Sequence, residues 1–392
     1  MTRIEAVDFF YLSMPVITDD ADGSQDALLV RVVAGGHVGW GECEAAPLPS
    51  IAAFICPMSH GVCRPVADSV LGRPIDSPAD IARIAADVAY RSMDLLQAPH
   101  TFSGVEMALW DLLGKACGRP VWSLLGYDRS YRKTPYASVL FGDTPQETLE
   151  RAREARRMNF RAGKFGWGPI GRGSAAEDAD HFMAAREGLG QDGILLVDTG
   201  QIFIDDVDRA AARLPALEAA RALWLEEPFH ANALEAYRAL AARGSSVGLA
   251  AGEGAHNVHM AKHLIDLGRV SYIQIDCGRI GGIGPAKEVV DHALAKGITF
   301  VNHTFTSHLA LSASLQPYAG LADHVICEYP AMPKALALEF TADHLERDAA
   351  GGIAAPDRPG LGIGVAPEGV RKYLQDVEIT VNGRTLYRTP TL

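Results

Sequence analysis

Apolar and polar positions alternate in strand fashion through IEAVDFFYL (4–12). They do so again through DALLVRVVAGGHVGWGECE (26–44), where Gly35-Gly36 marks a hairpin turn. A loop containing Pro, Ser and Cys (46–65) follows, and after Ser77-Pro78 the period becomes helical, with Asp80, Ile81, Ile84 and Val88 at helical spacing. FSGVEMALWDLLGKACGRPVWSLLG (102–126) predicts a helix to Gly118, a Pro-led turn and a second short helix. From about Pro135 the rhythm is strand, loop, helix, strand, with Ala-, Arg- and Leu-rich helices such as AAEDADHFMAAREGL and VDRAAARLPALEAA. Such alternation predicts a parallel α/β sheet with right-handed crossovers, which eight strands close into a barrel, TPYASVL first and HVICEY last. The tail VEITVNGRTLYR reads as a hairpin around Asn382-Gly383 that folds back on the N-terminal domain.

Composition narrows the function classes. The 392 residues carry a formal charge of −12, which argues against a nucleic-acid partner. Apolar stretches are too short for a membrane span, and the N-terminus lacks a secretory apolar core, so a cytoplasmic protein with no membrane partner is expected. The six cysteines show no metal-type spacing and are expected to be reduced and buried. An anionic substrate would need a local cation to offset the unfavourable overall field.

The candidate chemistry lies at the strand ends. Lys164, Asp198, Glu226, Glu253, Asp276, His303 and Glu328 follow one another at intervals of 34, 28, 27, 23, 27 and 25 residues, each closing or just following a short apolar run. One ionisable residue per strand-plus-helix unit is what an active site at the C-terminal rim of a barrel requires. Asp198, Glu226 and Glu253 would repel unless a cation sat between them, and an all-oxygen donor set favours Mg²⁺, with Mn²⁺ as substitute. Asp276 beside His303 would fix the imidazole tautomer and make it a general base. Lys164 is either a second acid/base or a fixed positive charge for a substrate carboxylate, and Glu328 is a hydrogen-bond donor to substrate or a structural ion partner. Trp167 in the Gly-rich rim loop 163–173, Arg279, Tyr329 and His60 in the lid-like loop 46–63 are weaker candidates for substrate contact.

ALWDLLGKACGRPVWSLLG, VDTGQ, WLEEPF, AAGE, QIDCGRIGGI, VNH and PDRPGLGIG, in this order and spacing, resemble the enolase superfamily, and more narrowly its mandelate racemase-like subgroup. The resemblance covers nearly the whole chain. It implies a modified (β/α)7β TIM barrel (133–355) with an N-terminal α+β capping domain (1–132), completed by a C-terminal segment (356–392). It also implies Asp198, Glu226 and Glu253 as Mg²⁺ ligands, with Glu226 rather than Glu227 in WLEEPF. The His-Asp dyad would be Asp276 and His303, Glu328 the last-strand glutamate, and the protein a homo-oligomer, often an octamer. The shared chemistry is removal of the proton α to a carboxylate. Racemases of the subgroup carry Lys-x-Lys on the second strand, whereas this chain has Lys164-Phe165-Gly166. If Gly166 replaces the second lysine, one face alone has a base, and dehydration of an aldonate or aldarate to a 2-keto-3-deoxy acid is expected. If Lys164 is the second lysine, a racemase or epimerase with Lys164 and His303 as opposed bases is the alternative. A catalytically silent relative with a binding or regulatory role would be expected to have lost a metal ligand or the dyad.

Overall fold

A computed structural model describing residues 2–392 shows where the two periodicities part. β1 (Ile4–Ser13), β2 (Asp26–Ala34) and β3 (His37–Cys43) form an antiparallel meander, so the N-terminal strands are three, with Gly35-Gly36 turning β2 into β3. One face packs on the helix Ala98–Cys117, which is buried continuously from Thr101 to Gly114. Gly41 makes that approach feasible: a Cβ there would lie 2.1 Å from the Gly104 carbonyl oxygen.

Eight parallel strands follow: β4 (Thr134–Leu140), β5 (Ala162–Gly166), β6 (Ile194–Asp198), β7 (Ala222–Glu226), β8 (Gly248–Ala251), β9 (Tyr272–Asp276), β10 (Thr299–His303) and β11 (Ile326–Pro330). Their order, β10-β9-β8-β7-β6-β5-β4-β11, is that of a nearly closed barrel. Among the described residues no strand ladder joins β10 to β11. Asn302 spans that seam, its Oδ1 accepting from Glu328 N at 2.9 Å and from Tyr318 OH at 2.8 Å. The helical stretch VDRAAARLPALEAA breaks into Val207–Ala211 and Leu214–Ala219, because Pro215 starts a new helix better than it continues one.

A small core fills the barrel: Tyr136, Ala162, Leu196, Trp224, Ala250, Val301 and Ile326. Side chains two positions on point the same way. The next inward layer is therefore Ser138, Lys164, Asp198, Glu226, His303 and Glu328. Strand β8 departs from this rule. Its next inward position is Gly252 (φ 135°), where a Cβ would meet the Gln274 carbonyl oxygen at 2.4 Å, and the turn there lets Glu253 reach the site one residue late.

The C-terminal segment returns to the capping meander. Gln375 N donates to Tyr11 O (2.8 Å), Arg31 Nη2 donates to Thr391 O (2.9 Å), and β12 (Glu378–Val381) and β13 (Arg384–Arg388) turn at Asn382-Gly383. All six cysteines are free; Cys43, Cys277 and Cys327 are buried, but Cys117 is exposed at a helix end, contrary to the expectation of burial. No helix among the described residues is long and apolar enough to cross a membrane.

The cap and the barrel share one buried capping contact. Glu106, on the cap helix, accepts from Ile283 N (2.7 Å) and Gly284 N (2.8 Å) at the start of the barrel helix Ile283–Lys296, and from Trp110 Nε1 (2.7 Å). It thereby serves orphan amides that Gly282, lacking a side chain, cannot cap. Replacing Glu106 by Ala strands three buried donors, and we expect a loss of about 2–4 kcal/mol, read as a lower urea midpoint at constant slope. Glu106→Gln should lose less.

Candidate active site

The rim residues meet because their strands are in register. Gly166 pairs with Asp198, Asp198 with Glu226, and Asp276 with His303. Ligand oxygens of Asp198, Glu226 and Glu253 all lie within 4.8 Å of one another. Asp198 Oδ1 accepts from Gly200 N (2.8 Å) and Glu226 Oε2 from Trp224 Nε1 (3.0 Å), which fixes both carboxylates. Burial pushes Asp198 up to about 7 and Glu226 up to about 8, against the opposing pull of Lys164. Two acids raised this far form a cluster short of positive charge, and three hard oxygen donors fit a divalent cation.

Lys164 is only 3% exposed. Its Nζ lies 2.7 Å from Glu226 Oε1, 2.9 Å from Glu328 Oε1 and 3.8 Å from Asp198 Oδ2. Burial opposes its charge, but Glu226 and Glu328 outweigh that and hold the amine well above its ordinary value. Glu328 Oε2 accepts from Thr304 N at 2.8 Å. His303 Nδ1 is 2.6 Å from Asp276 Oδ2, whose other oxygen accepts from Gly278 N at 2.6 Å. His303 Nε2 points the other way, 3.0 Å from Glu253 Oε2 and 3.8 Å from Glu328 Oε2. Burial disfavours the imidazolium, yet Glu253 and Glu328 raise its pKa well above the ordinary value.

The chain's relatives share this architecture. Residues 13–126 match the mandelate racemase / muconate lactonizing enzyme N-terminal domain, and residues 147–369 match the enolase C-terminal domain-like family. The chain belongs to the enolase superfamily, in its mandelate racemase-like subgroup. A crystal structure described as a predicted mandelate racemase from Rhodobacter sphaeroides is 69% identical to this superfamily member, with TM-score 0.96 and full coverage of both chains (100% each). The L-talarate/galactarate dehydratase of Salmonella typhimurium is 31% identical over 64% of this chain, a match that spans 63% of that enzyme's own length, less than two thirds. The D-galactarolactone cycloisomerase of Agrobacterium fabrum is 27% identical over 86% of this chain and 88% of that enzyme.

In this superfamily member the seven strand-end candidates converge, and Trp167 and Arg279 line a cavity of about 320 Å³ together with Lys164, Asp198, Glu253 and His303. Trp167 is 42% exposed, its indole lying over Gly200, and Arg279 Nη2 reaches Glu44 Oε1 at 3.2 Å. Two expected substrate contacts are not in the cavity wall. Tyr329 follows the inward Glu328 and so faces outward, its hydroxyl donating to Leu345 O at 3.0 Å. His60 pairs with Asp94 (2.9 Å) on the cap's outer surface.

Three acids take parts that the sequence reading did not assign them. Glu227, turned at φ 39°, accepts at Oε1 from Gly252 N (3.3 Å) and Gly254 N (3.2 Å), bracing the turn that carries Glu253. Glu44 and Asp22 reach the cavity from the cap. Burial pushes Glu44 up to about 7. The ECE run closing β3 was the available signal for Glu44; Asp22 lies in the acidic cap segment MPVITDDADGSQD (14–26), whose composition suits a polyhydroxylated ligand without singling out one residue.

Titration with a divalent cation should stabilise the protein by about 2.7 kcal/mol at a hundredfold excess over Kd, seen as a saturable rise in melting temperature. Asp198→Asn should lose that response, and an undiminished response in this variant would contradict a cation site at the three carboxylates.

Proposed function

We propose that this protein is a dehydratase of a sugar acid, an aldonate or aldarate, that yields a 2-keto-3-deoxy acid. Bound by Asp198, Glu226 and Glu253, Mg²⁺ (or Mn²⁺) would supply the positive charge that stabilises the substrate carboxylate as its α-proton leaves. Lys164 adds a fixed ammonium beside the same carboxylate. His303 Nε2 takes the α-proton, while Asp276 holds the ring and its tautomer at Nδ1. The same nitrogen then returns that proton to the departing 3-hydroxyl. The C2–H and C3–O bonds break, water leaves, and the enol tautomerises to the 2-keto acid. Glu328, anchored between Lys164 and the Thr304 amide, completes the charge balance on the barrel side.

What supports dehydration over racemisation is the place of Lys164 and Gly166. Gly166 stands at the rim, level with Asp198, where a Cβ would come within 3.1 Å of Asp198 Oδ2. Lys164 sits two residues earlier on β5, paired with Leu196, and its Nζ is held between Glu226 and Glu328, so it serves as a charge rather than a base. His303 is then the single base, and one face suffices for both proton abstraction and hydroxyl loss. The silent-relative alternative finds no support in a site that retains three carboxylates and the dyad. Sugar-acid dehydratase and cycloisomerase relatives agree with a sugar-acid substrate.

Incubation with Mg²⁺ and a library of aldonic, uronic and aldaric acids should give a 2-keto acid from one stereochemical family. His303→Asn should cut that rate by about a hundred- to ten-thousand-fold. Lys164→Ala should slow turnover but leave measurable α-proton exchange with solvent deuterium. Unchanged turnover in His303→Asn would sink the assignment.

A further inference from the structure

The floor of the cavity is made of strand ends, and its roof of the cap segment Ala21–Gly23 with Glu44 and Ala45. The floor holds the groups that would engage the reacting carboxylate, so the roof is where the rest of a sugar acid must lie. Two acidic residues line it, Asp22 and Glu44, and a Cβ on Gly23 would be 3.0 Å from Glu44 Oε1, so the backbone beside Asp22 passes close to Glu44. Asp22 Oδ1 accepts from Ser24 N at 2.9 Å, and its Oδ2 lies 3.4 Å from Lys334 Nζ.

Among the described residues, the cavity wall contains three basic side chains, Lys164, Arg279 and His303. Lys164 and His303 belong to the floor. Arg279, the one nearest the roof, is already committed: Nη2 meets Glu44 Oε1 at 3.2 Å, and Nη1 meets Glu253 Oε1 at 3.5 Å and donates to Glu253 O at 3.3 Å. A second substrate carboxylate would have to displace Glu44 from Arg279 or Asp22 from Lys334. Either exchange breaks an existing ion pair and sets like charges side by side, which disfavours binding. A hydroxyl does neither, since it accepts from the guanidinium and donates to a carboxylate without breaking the pair.

We infer that the substrate is an aldonate, with one carboxylate and a neutral polyol tail, and that Asp22 and Glu44 accept hydrogen bonds from that tail and exclude the dicarboxylate aldarates. This rests on the sugar-acid reading of the site, whereas the reaction performed there is a separate question. Both are tested with full-length Mg²⁺-loaded protein. Calorimetric Kd values are measured in the His303→Asn variant for aldonate and aldarate pairs of matched configuration, with wild-type turnover followed in parallel.

Aldonates should bind at least about tenfold tighter than their matched aldarates, and adding Asp22→Asn or Glu44→Gln should move the pair toward parity. Equal or tighter aldarate binding, an unchanged preference in both carboxylate variants, or no binding by any pair would overturn the inference. Aldonate preference in binding with neither keto product nor α-proton exchange in the wild type would overturn the dehydratase reading and leave the substrate class standing.

Discussion

Mutual repulsion among buried carboxylates is the constraint around which this molecule is organised. Asp198, Glu226 and Glu253 bring oxygens within 4.8 Å of one another at the barrel mouth, with Asp276 and Glu328 on the strands beyond. At such distances each like-charge pair costs about 4 kcal/mol even in a partly screened site. The fold answers by placing Lys164 beneath the cluster, His303 across it and Arg279 at its edge. These cations leave Asp198 and Glu226 still raised to about 7 and about 8. What the three carboxylates present together is a set of hard oxygen donors that fits a divalent cation.

Division of labour follows from how the elements dock. Strand register sets the reacting groups, because backbone pairing of β5 to β6, β6 to β7 and β9 to β10 fixes the level of each side chain. The cap's loop and β3 end line the mouth from above and hold Arg279 through Glu44, and the inferred choice of substrate rests on them. Glu106 ties the two parts together by capping a barrel helix from the cap. Small changes in that docking would move Glu44 and Asp22 relative to the barrel without altering the floor.

Much of this was legible in the sequence for a simple reason. Side chains that share one barrel layer must recur once per strand-and-helix unit, so Asp198, Glu226, Asp276, His303 and Glu328 announce themselves by interval and by their position at the end of an apolar run. The same logic misplaced Tyr329: adjacency to Glu328 suggested proximity, but strand alternation turns it to the opposite side. His60 was misread because a polar loop beside the cap resembles a lid, whereas its partner Asp94 holds it on the outer surface. Glu44 was overlooked, and Asp22 was not singled out within its acidic cap loop, because cap residues enter the site through tertiary docking, which leaves no period. Lys164 was less legible, since its spacing is compatible with either of two lysine positions, and its contacts with Glu226 and Glu328 come from strands far away in sequence.

The central claim is that one base, His303, serves one face of the substrate. The most direct test is proton NMR of turnover in D₂O with Mg²⁺, following C2 of the remaining sugar acid alongside keto-acid formation. The account predicts accumulation of the 2-keto-3-deoxy acid, with any deuterium at C2 of residual substrate incorporated with retention of configuration. Appearance of the C2 epimer would contradict it, because inversion demands a second base on the face that Gly166 leaves without one.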